Sequence, residues 1–318
     1  MTQKLIIDAD PGIGDAAAIA LALLDPDLDV VAVTATSGCV SGKDATRNIQ
    51  TIIEMLDPPK WPRLGGSDVP IVPQIRETNS AAKSFVSRNG PNGLGDLEFR
   101  VADLHSIRES AKVMIDAVRD RPHEITLLTL GPLTNVELAC ERAPDFLDLL
   151  KGLICLGGTV ESGGDVTATA EFNIYANPEA ARNVLLSPAT KTLVPLDISS
   201  KLILTFEQFD RLTGSAGSSI GRFLSQLLPY AFRAYHEQLG LEGICLQEVT
   251  ALAAIALPRL FESRSMAINV ETRGELTRGM TVFDRRGVEQ WQTNIDVFSD
   301  VDTQGVLDYF NRVVRRAT

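Results

Sequence analysis

The feature that most limits the fold of this chain is a short apolar run near its start, followed by an acidic loop and an alanine-rich segment. Residues 5–7 are Leu-Ile-Ile with no polar alternation, a pattern typical of a strand that is covered on both faces. Pro11 and Gly12 end this strand, and residues 15–24 predict a helix. A strand, a tight loop and a helix in this order predict the first βα unit of a parallel sheet.

The loop between that strand and helix carries three carboxylates, Asp8, Asp10 and Asp15. They lie where a parallel strand ends, which is where open α/β sheets hold their ligands. Because like charges repel, three acids in one loop need a cation, a proton or wide solvent exposure. One interpretation makes Asp15 a helix N-cap beside two solvated acids. The other is a site for a hard, oxygen-binding cation, which the D-x-D spacing followed by a further Asp favours.

The alternation of strand and helix continues along the chain. Further strands are predicted at residues 29–36, 125–130, 153–156 and 192–197, with a β-hairpin at 270–282. Helices are predicted to begin at Asn177-Pro178 and to span residues 43–56, 106–118, 219–239, 247–257 and 301–316. Pro229 is expected to kink or break the helix at residues 219–239. Since no linker or low-complexity tract interrupts the pattern, we expect an α/β fold in one domain over residues 1–318. Its sheet should be open, mainly parallel and Rossmann-like, with helices on both faces.

Composition and charge exclude several classes of protein. Hydrophobic residues make up 44% of the chain and charged residues 22%, which is enough apolar material for a large core. The net charge of −11 argues against a nucleic-acid partner, because phosphate binding draws on clustered Lys and Arg. The four cysteines show no disulfide or C-x-x-C spacing, and the longest apolar run, residues 16–24, is too short to span a bilayer. We therefore expect a reduced, cytoplasmic protein with no membrane partner.

Residues 89–96 (Asn-Gly-Pro-Asn-Gly-Leu-Gly-Asp) hold too much Gly, Asn and Pro for regular structure. They predict either a plain surface loop or a flap over a binding site, and the residues alone leave both open.

Four ordered segments resemble one known family, the inosine-uridine type nucleoside hydrolases. Residues 8–15 (DADPGIGD) look like its D-x-D-P-G-x-D-D signature, and residues 170–173 with 177–180 resemble its second signature. Residues 130–135 (LGPLTN) and 274–281 (GELTRGMT) are also similar to the family, so the resemblance spans nearly the whole chain.

The resemblance implies hydrolysis of the N-glycosidic bond of ribonucleosides with a bound Ca²⁺, in a homodimer or homotetramer. By position, Asp10 and Asp15 would hold the metal together with the Leu130 carbonyl and Glu248, and Asp10 would be the general base. This set suits the six to eight oxygens that Ca²⁺ takes. Glu171 and Asn173 resemble the residues that hold the sugar hydroxyls, although an acid such as Glu171 can also be a solvated loop residue.

The departures from the family pattern fall on the expected active site. Gly14 replaces the first of two paired aspartates, and Gln247-Glu248 replaces a His-Asp pair. The other departures are Cys39 for an asparagine, Asn89 for a flap histidine and Asp165 for an asparagine near the 5′-hydroxyl. Gln247 cannot donate a proton to the leaving base, so the family's leaving-group acid is missing.

Two accounts follow from these departures: an active hydrolase whose ribosyl substrate is unusual, or an impaired relative that binds a ribose-like ligand without turnover. The survival of the following residues favours the active enzyme: Asp10, Asp15, Glu171, Asn173 and an acid at position 248. A haloacid-dehalogenase-type phosphatase also places D-x-D after a strand, but it has no use for the 171–173 motif. Candidates to line a base pocket, or equally a core, are Tyr230, Phe232, Tyr235 and His236.

Overall fold

The fold is built on a central sheet with helices on both faces, in a computed structural model that describes residues 2–71, 80–102, 107–213, 217–286 and 291–316. The strands are β1 (Gln3–Ala9), β2 (Leu28–Ala35), β3 (Arg63–Gly65), β4 (Ile125–Thr129), β5 (Gly152–Leu156), β6 (Lys191–Val194), β7 (Ile203–Thr205), β8 (Gly243–Cys245), β9 (Phe261–Met266), β10 (Ile268–Val270), β11 (Thr281–Phe283) and β12 (Ile295–Val301). The α-helices are α1 (Ile13–Leu24), α2 (Gly42–Leu56), α3 (Ser80–Ser87), α4 (Ser110–Asp120), α5 (Thr134–Arg142), α6 (Phe172–Ala176), α7 (Pro178–Leu186), α8 (Leu196–Ser199), α9 (Phe206–Thr213), α10 (Ser219–Leu239), α11 (Gln247–Ala256) and α12 (Thr303–Arg316).

Within the described residues, eight strands form the central sheet in the order β3-β2-β1-β4-β5-β6-β12-β9. Every neighbouring pair is parallel except β12 with β9. From β1 the chain builds outward through β2 and β3, and then returns to place β4 on the other side of β1. The strand order therefore reverses between β1 and β4, and the crevice at the carboxyl ends of these two strands is the expected ligand site.

Both faces of the sheet are buried. Leu5 and Ile7 pack in the core formed with α1, α2, α10, α11 and α12, whereas Ile6 packs with α4, α5 and α7 on the other face. This alternation explains why the first strand shows no polar positions, and it confirms the predicted mainly parallel α/β fold. In the described part of the chain, no helix has the length and apolar character needed to cross a bilayer.

Some predicted elements differ from the observed ones. The strand expected at 192–197 ends at Val194, because Pro195 offers no N–H to the ladder and a short helix follows it. The 219–239 helix is not broken: it continues through Pro229, held by a buried face that includes Leu227 and Leu228. The helix expected at 106–118 begins at Ser110, while Ser106 lies outside the described residues.

The end of the chain holds a strand pair that the sequence did not predict. The edge strand β9 is mostly exposed and polar, so it has neither an apolar run nor a clear alternation. Its partner β12 extends to Val301, and the last helix therefore begins at Thr303. The hairpin expected at 270–282 is present as β10 paired antiparallel with β11.

Candidate active site

Asp8 lies at the carboxyl end of β1 and is fixed within the protein. Its Oδ1 accepts hydrogen bonds from Thr34 Oγ1 (2.6 Å) and Asn135 Nδ2 (2.9 Å). The side chain is fully buried, which raises the pKa of its carboxyl to about 7. Through these hydrogen bonds, Asp8 links the end of β1 to β2 and α5 and holds the start of the acidic loop in place.

Asp10 and Asp15 meet Cys39 in one cluster, whose two carboxylates and thiol have ligand atoms within 4.8 Å of one another. The Cys39 backbone N–H donates to Asp10 Oδ2 (2.5 Å), and the Cys39 thiol donates to the Asp10 carbonyl oxygen (2.8 Å). Asp15 Oδ2 accepts from the Gly12 N–H at the start of α1 (2.9 Å), while its Oδ1 is buried without a hydrogen-bond partner among the described residues. Asp8 and Asp10 are 0% and 3% exposed, so the alternative of two solvated acids is wrong.

Glu248, in the first turn of α11, places a third carboxylate near this cluster, close enough for its charge to raise the pKa of Asp15. A Cβ atom placed on Gly14 would lie 2.7 Å from Glu248 Oε1 and closer still to Oε2. The Glu248 carboxylate therefore occupies the space that any side chain at position 14 would need. The lack of an aspartate at position 14 and the longer acid at position 248 are therefore sterically coupled.

The pKa values of Asp10, Asp15 and Glu248 are all raised above those of free carboxyl groups. Burial raises the pKa of Asp10 to about 6 and that of Glu248 to about 7. Burial, followed by the charges of Asp10 and Glu248, raises the pKa of Asp15 well above its usual value. A group of acids in this state must bind protons or a cation.

The Leu130 carbonyl follows β4 and is oriented by Asn173. Asn173 Nδ2 donates to Leu130 O (2.7 Å) and to Leu156 O (3.1 Å), so one amide bridges the ends of β4 and β5. A carbonyl oxygen has a second lone pair, which leaves Leu130 O able to bind a further partner.

Glu171 is a buried helix cap. Its Oε2 accepts from the N–H groups of Gly158 (2.8 Å) and Ile174 (3.2 Å), and its Oε1 accepts from Asn173 N–H (3.0 Å). Glu171 is 4% exposed, so the alternative of a solvated loop acid is wrong. Burial, and then the charge of Asp165, raise its pKa to about 8. It positions α6 and hence Asn173.

Among the described residues, Asp165 has a hydrogen-bond partner for one of its two carboxylate oxygens. Oδ1 accepts from Phe172 N–H (2.9 Å), and Oδ2 is buried without a hydrogen-bond partner among the described residues. Burial raises its pKa to about 6, and the positive charge of Arg88 offsets part of that rise. Asp165 is therefore an acceptor with free capacity.

The loop at 89–96 packs onto the acidic loop. Asn89 Oδ1 accepts from Ile13 N–H (2.9 Å), which caps the start of α1 from a distant part of the chain. Asn48 Nδ2 donates to both Pro11 O (2.9 Å) and Asn92 O (2.7 Å). These bonds give the segment the position of a flap rather than of a free surface loop.

A cavity of about 40 Å³ lies beneath this flap and beside the acidic cluster. Its lining includes Gly14, Phe85, Arg88, Asn89, Tyr235, Gln247 and Glu248. Ligand pockets usually measure about 300–1,000 Å³, so this cavity must enlarge before it can hold a nucleoside. Arg88 and Phe85 were not predicted as site residues from the sequence. The one sequence feature that could have indicated Arg88 is its position directly before Asn89.

The other aromatic candidates and His236 do not line this cavity. His236 is 65% exposed, with Nδ1 3.2 Å from Glu242 Oε1 at the surface. Phe232 packs on the rings of Phe206 and Phe209, and Tyr230 lies against Gly95 of the flap.

Comparison with known proteins agrees with this architecture. A family model described as inosine-uridine preferring nucleoside hydrolase matches residues 5–308. The chain is 34% identical to uridine nucleosidase 1 of Arabidopsis thaliana, over 96% of this chain and 91% of that protein. It is 31% identical to a pyrimidine-specific ribonucleoside hydrolase of Salmonella gallinarum, over 97% of each.

Solved structures agree as well. A plant nucleoside hydrolase superposes with a TM-score of 0.87 at 28% identity, covering 99% of this chain and 100% of the other. A purine-preferring ribonucleoside hydrolase from Gardnerella vaginalis superposes with a TM-score of 0.86 at 25% identity, covering 98% of each.

Proposed function

Since the chain belongs to the inosine-uridine preferring nucleoside hydrolase family and cleaves the N-glycosidic bond of ribonucleosides, we propose that it does so with Ca²⁺. The ligands are the carboxylates of Asp10, Asp15 and Glu248 and the Leu130 carbonyl oxygen. The observation that carries this proposal is the buried Asp15 Oδ1, which has no hydrogen-bond partner among the described residues and belongs to a group of three carboxylates whose pKa values are all raised.

The donor set suits a hard cation. Cys39 is the one soft donor in the cluster, and burial followed by the charges of Asp10 and Asp15 raises its thiol pKa well above the usual value. The thiol therefore keeps its proton and donates it to Asp10 O, which leaves oxygens to face the ion. Oxygen donors of this kind favour Ca²⁺, whereas Zn²⁺ prefers imidazole and thiolate ligands. When bound, Ca²⁺ supplies positive charge that lowers the pKa of a water and holds ribose hydroxyls.

The side chains around this ion then have separate roles in the reaction. Asp10 accepts a proton from the water that attacks C1′, as the positive charge on the ribose ring grows. Asp165 Oδ2, with no described partner, accepts from a sugar hydroxyl beside Glu171 and Asn173. Gln247, Asn89 and Tyr235 border the cavity on the side of the base.

The test is a panel of uridine, cytidine and inosine, assayed for released ribose with calcium present and then removed by a chelator. Two relatives carry names that state uridine or pyrimidine specificity, which makes uridine the first substrate to try. We expect ribose release that calcium removal abolishes, and calorimetry should show one Ca²⁺ bound per chain. Full activity in the chelator would contradict the metal assignment. The homo-oligomer implied by the family stays a prediction, which light scattering measures directly.

A further inference from the structure

Arg88 carries a positive charge into the cavity beside the acidic cluster. It follows α3 directly, and it is the one Lys, Arg or His among the residues that line this cavity. Its guanidinium carbon lies 4.6 Å from the centroid of the Phe85 ring and 5.6 Å from that of Tyr235. Two aromatic faces thus fix the guanidinium in the same cavity as Gln247 and Glu248.

The hydrogen-bonding capacity of Arg88 is not used up. Its Nε is buried without a hydrogen-bond partner in the part of the chain that the structure describes. Asp165 is near enough for the Arg88 charge to lower its pKa, yet Asp165 Oδ2 is also unpartnered among the described residues. A buried donor without a partner costs free energy, so its retention beside the site points to a partner that arrives with the substrate.

The departing base is the substrate group that most needs such a donor. Gln247 and Asn89 border the cavity as amides, which cannot give up a proton, and His236 pairs with Glu242 at the surface. A guanidinium does not lose its proton near neutral pH, but it stabilises a developing anion by charge and by hydrogen bonds.

Building on the proposed hydrolase function, we propose that Arg88 binds the base as it leaves and stabilises it as an anion. The substrate class is then ribonucleosides whose base departs with a delocalised negative charge, as uracil does when the charge on N1 spreads to its two carbonyl oxygens. Bases that must be protonated before they leave are poor substrates for this site.

The step balances without a co-reactant. The water oxygen bonds to C1′ as the N-glycosidic bond breaks, and the bonding electron pair stays on the base nitrogen. One water proton passes to Asp10, and the other remains on the new 1′-hydroxyl of ribose. The base anion takes a proton from solvent after release, and Asp10 returns its proton to solvent.

The experiment compares two substrates that differ in the charge of the leaving base. Uridine leaves as an anion, whereas nicotinamide riboside carries a positive base that leaves neutral. Arg88→Gln should lower kcat/KM for uridine about 10- to 100-fold, the range of one hydrogen bond to a charged group. It should leave nicotinamide riboside unchanged or faster, and Arg88→Lys should retain part of the uridine rate.

Arg312→Gln is the matched control. Arg312 pairs with Asp27 (3.7 Å) and stacks at 5.5 Å on Tyr309, away from the flap and outside the cavity lining. Loss of this control arginine should leave kcat/KM unchanged for both substrates. An equal loss on both substrates in Arg88→Gln would show a structural role and overturn the inference.

A measurement on the unmodified protein covers the case in which Arg88→Gln does not fold. The base of 5-fluorouridine is more acidic than uracil, so kcat/KM should be higher for 5-fluorouridine than for uridine. Equal values would indicate protonation by an acid and would overturn the role of Arg88. Failure of the proposed function looks different: calcium-loaded protein would then release ribose from none of these compounds.

Discussion

At the scale of single residues, the Glu248 carboxylate fills the space that a side chain at Gly14 would need, and this steric coupling can be tested. Alanine at position 14 suits a helix better than glycine by about 0.8–1.0 kcal/mol, so the helix itself does not require glycine. The new methyl group would nevertheless displace the Glu248 carboxylate, because a Cβ there lies 2.7 Å from Oε1. We expect Gly14→Ala to weaken Ca²⁺ binding at least about tenfold, or about 1.4 kcal/mol, by calorimetry.

The compensating change is Glu248→Asp, whose shorter arm withdraws the carboxylate from Gly14. The double variant should bind Ca²⁺ more tightly than Gly14→Ala alone. Gly152→Ala serves as the control, since a Cβ at that position meets nothing within 4 Å. Unchanged calcium affinity in Gly14→Ala would refute the coupling.

Asp10→Asn keeps the shape of the side chain and its acceptor for the Cys39 N–H, but removes the charge and the proton acceptor. Losing a general base alone should lower kcat at least about a hundredfold in the ribose-release assay. Asp25→Asn is a fair control, because Asp25 is also buried but accepts from Tyr309 at the far end of α1. Ribose release by Asp10→Asn at nearly the normal rate would rule out Asp10 as the base.

At the scale of elements, the Asn89 side chain joins the flap to α1 in the part of the chain that the structure describes. Asn89→Ala removes the acceptor for Ile13 N–H, and the loss of such a cap costs about 0.5–2 kcal/mol. We expect a lower midpoint in urea unfolding and a higher KM, because the flap loses its bond to α1 and keeps only weaker anchoring that includes the bond from Asn48 to Asn92. Asn183→Ala, which removes an exposed amide bonded to Glu137, should leave both quantities unchanged. A normal KM in Asn89→Ala would show that the contact serves stability alone.

The elements also show what a sequence can and cannot reveal. Local patterns placed Asp10 and Leu130 at the carboxyl ends of two strands, and the structure makes those strands neighbours. The contact of Glu248 with Gly14 depends on α11 packing across α1, which no local pattern encodes. The polar edge strand β9 was missed for the same reason, since pairing with β12 rather than its own residues makes it a strand.

For the whole molecule, the acidic cluster should make stability depend on pH in opposite ways with and without calcium. The unfolded chain titrates Asp and Glu near pH 4, whereas the folded metal-free protein titrates Asp10 near 6 and Glu248 near 7. Between about pH 4 and pH 7 the folded state therefore holds more protons, and its free energy of unfolding falls as the pH rises.

Calcium replaces those protons, so its stabilising effect should grow over the same window. At a hundredfold excess over Kd, a ligand that binds only the folded state adds about 2.7 kcal/mol. Urea unfolding at pH 5 and pH 8, on protein dialysed free of metal and then with calcium added, measures both effects. We expect the metal-free midpoint to be higher at pH 5 and the gain from calcium to be larger at pH 8. A calcium gain that is equal at the two pH values would mean that the ion does not bind at these carboxylates.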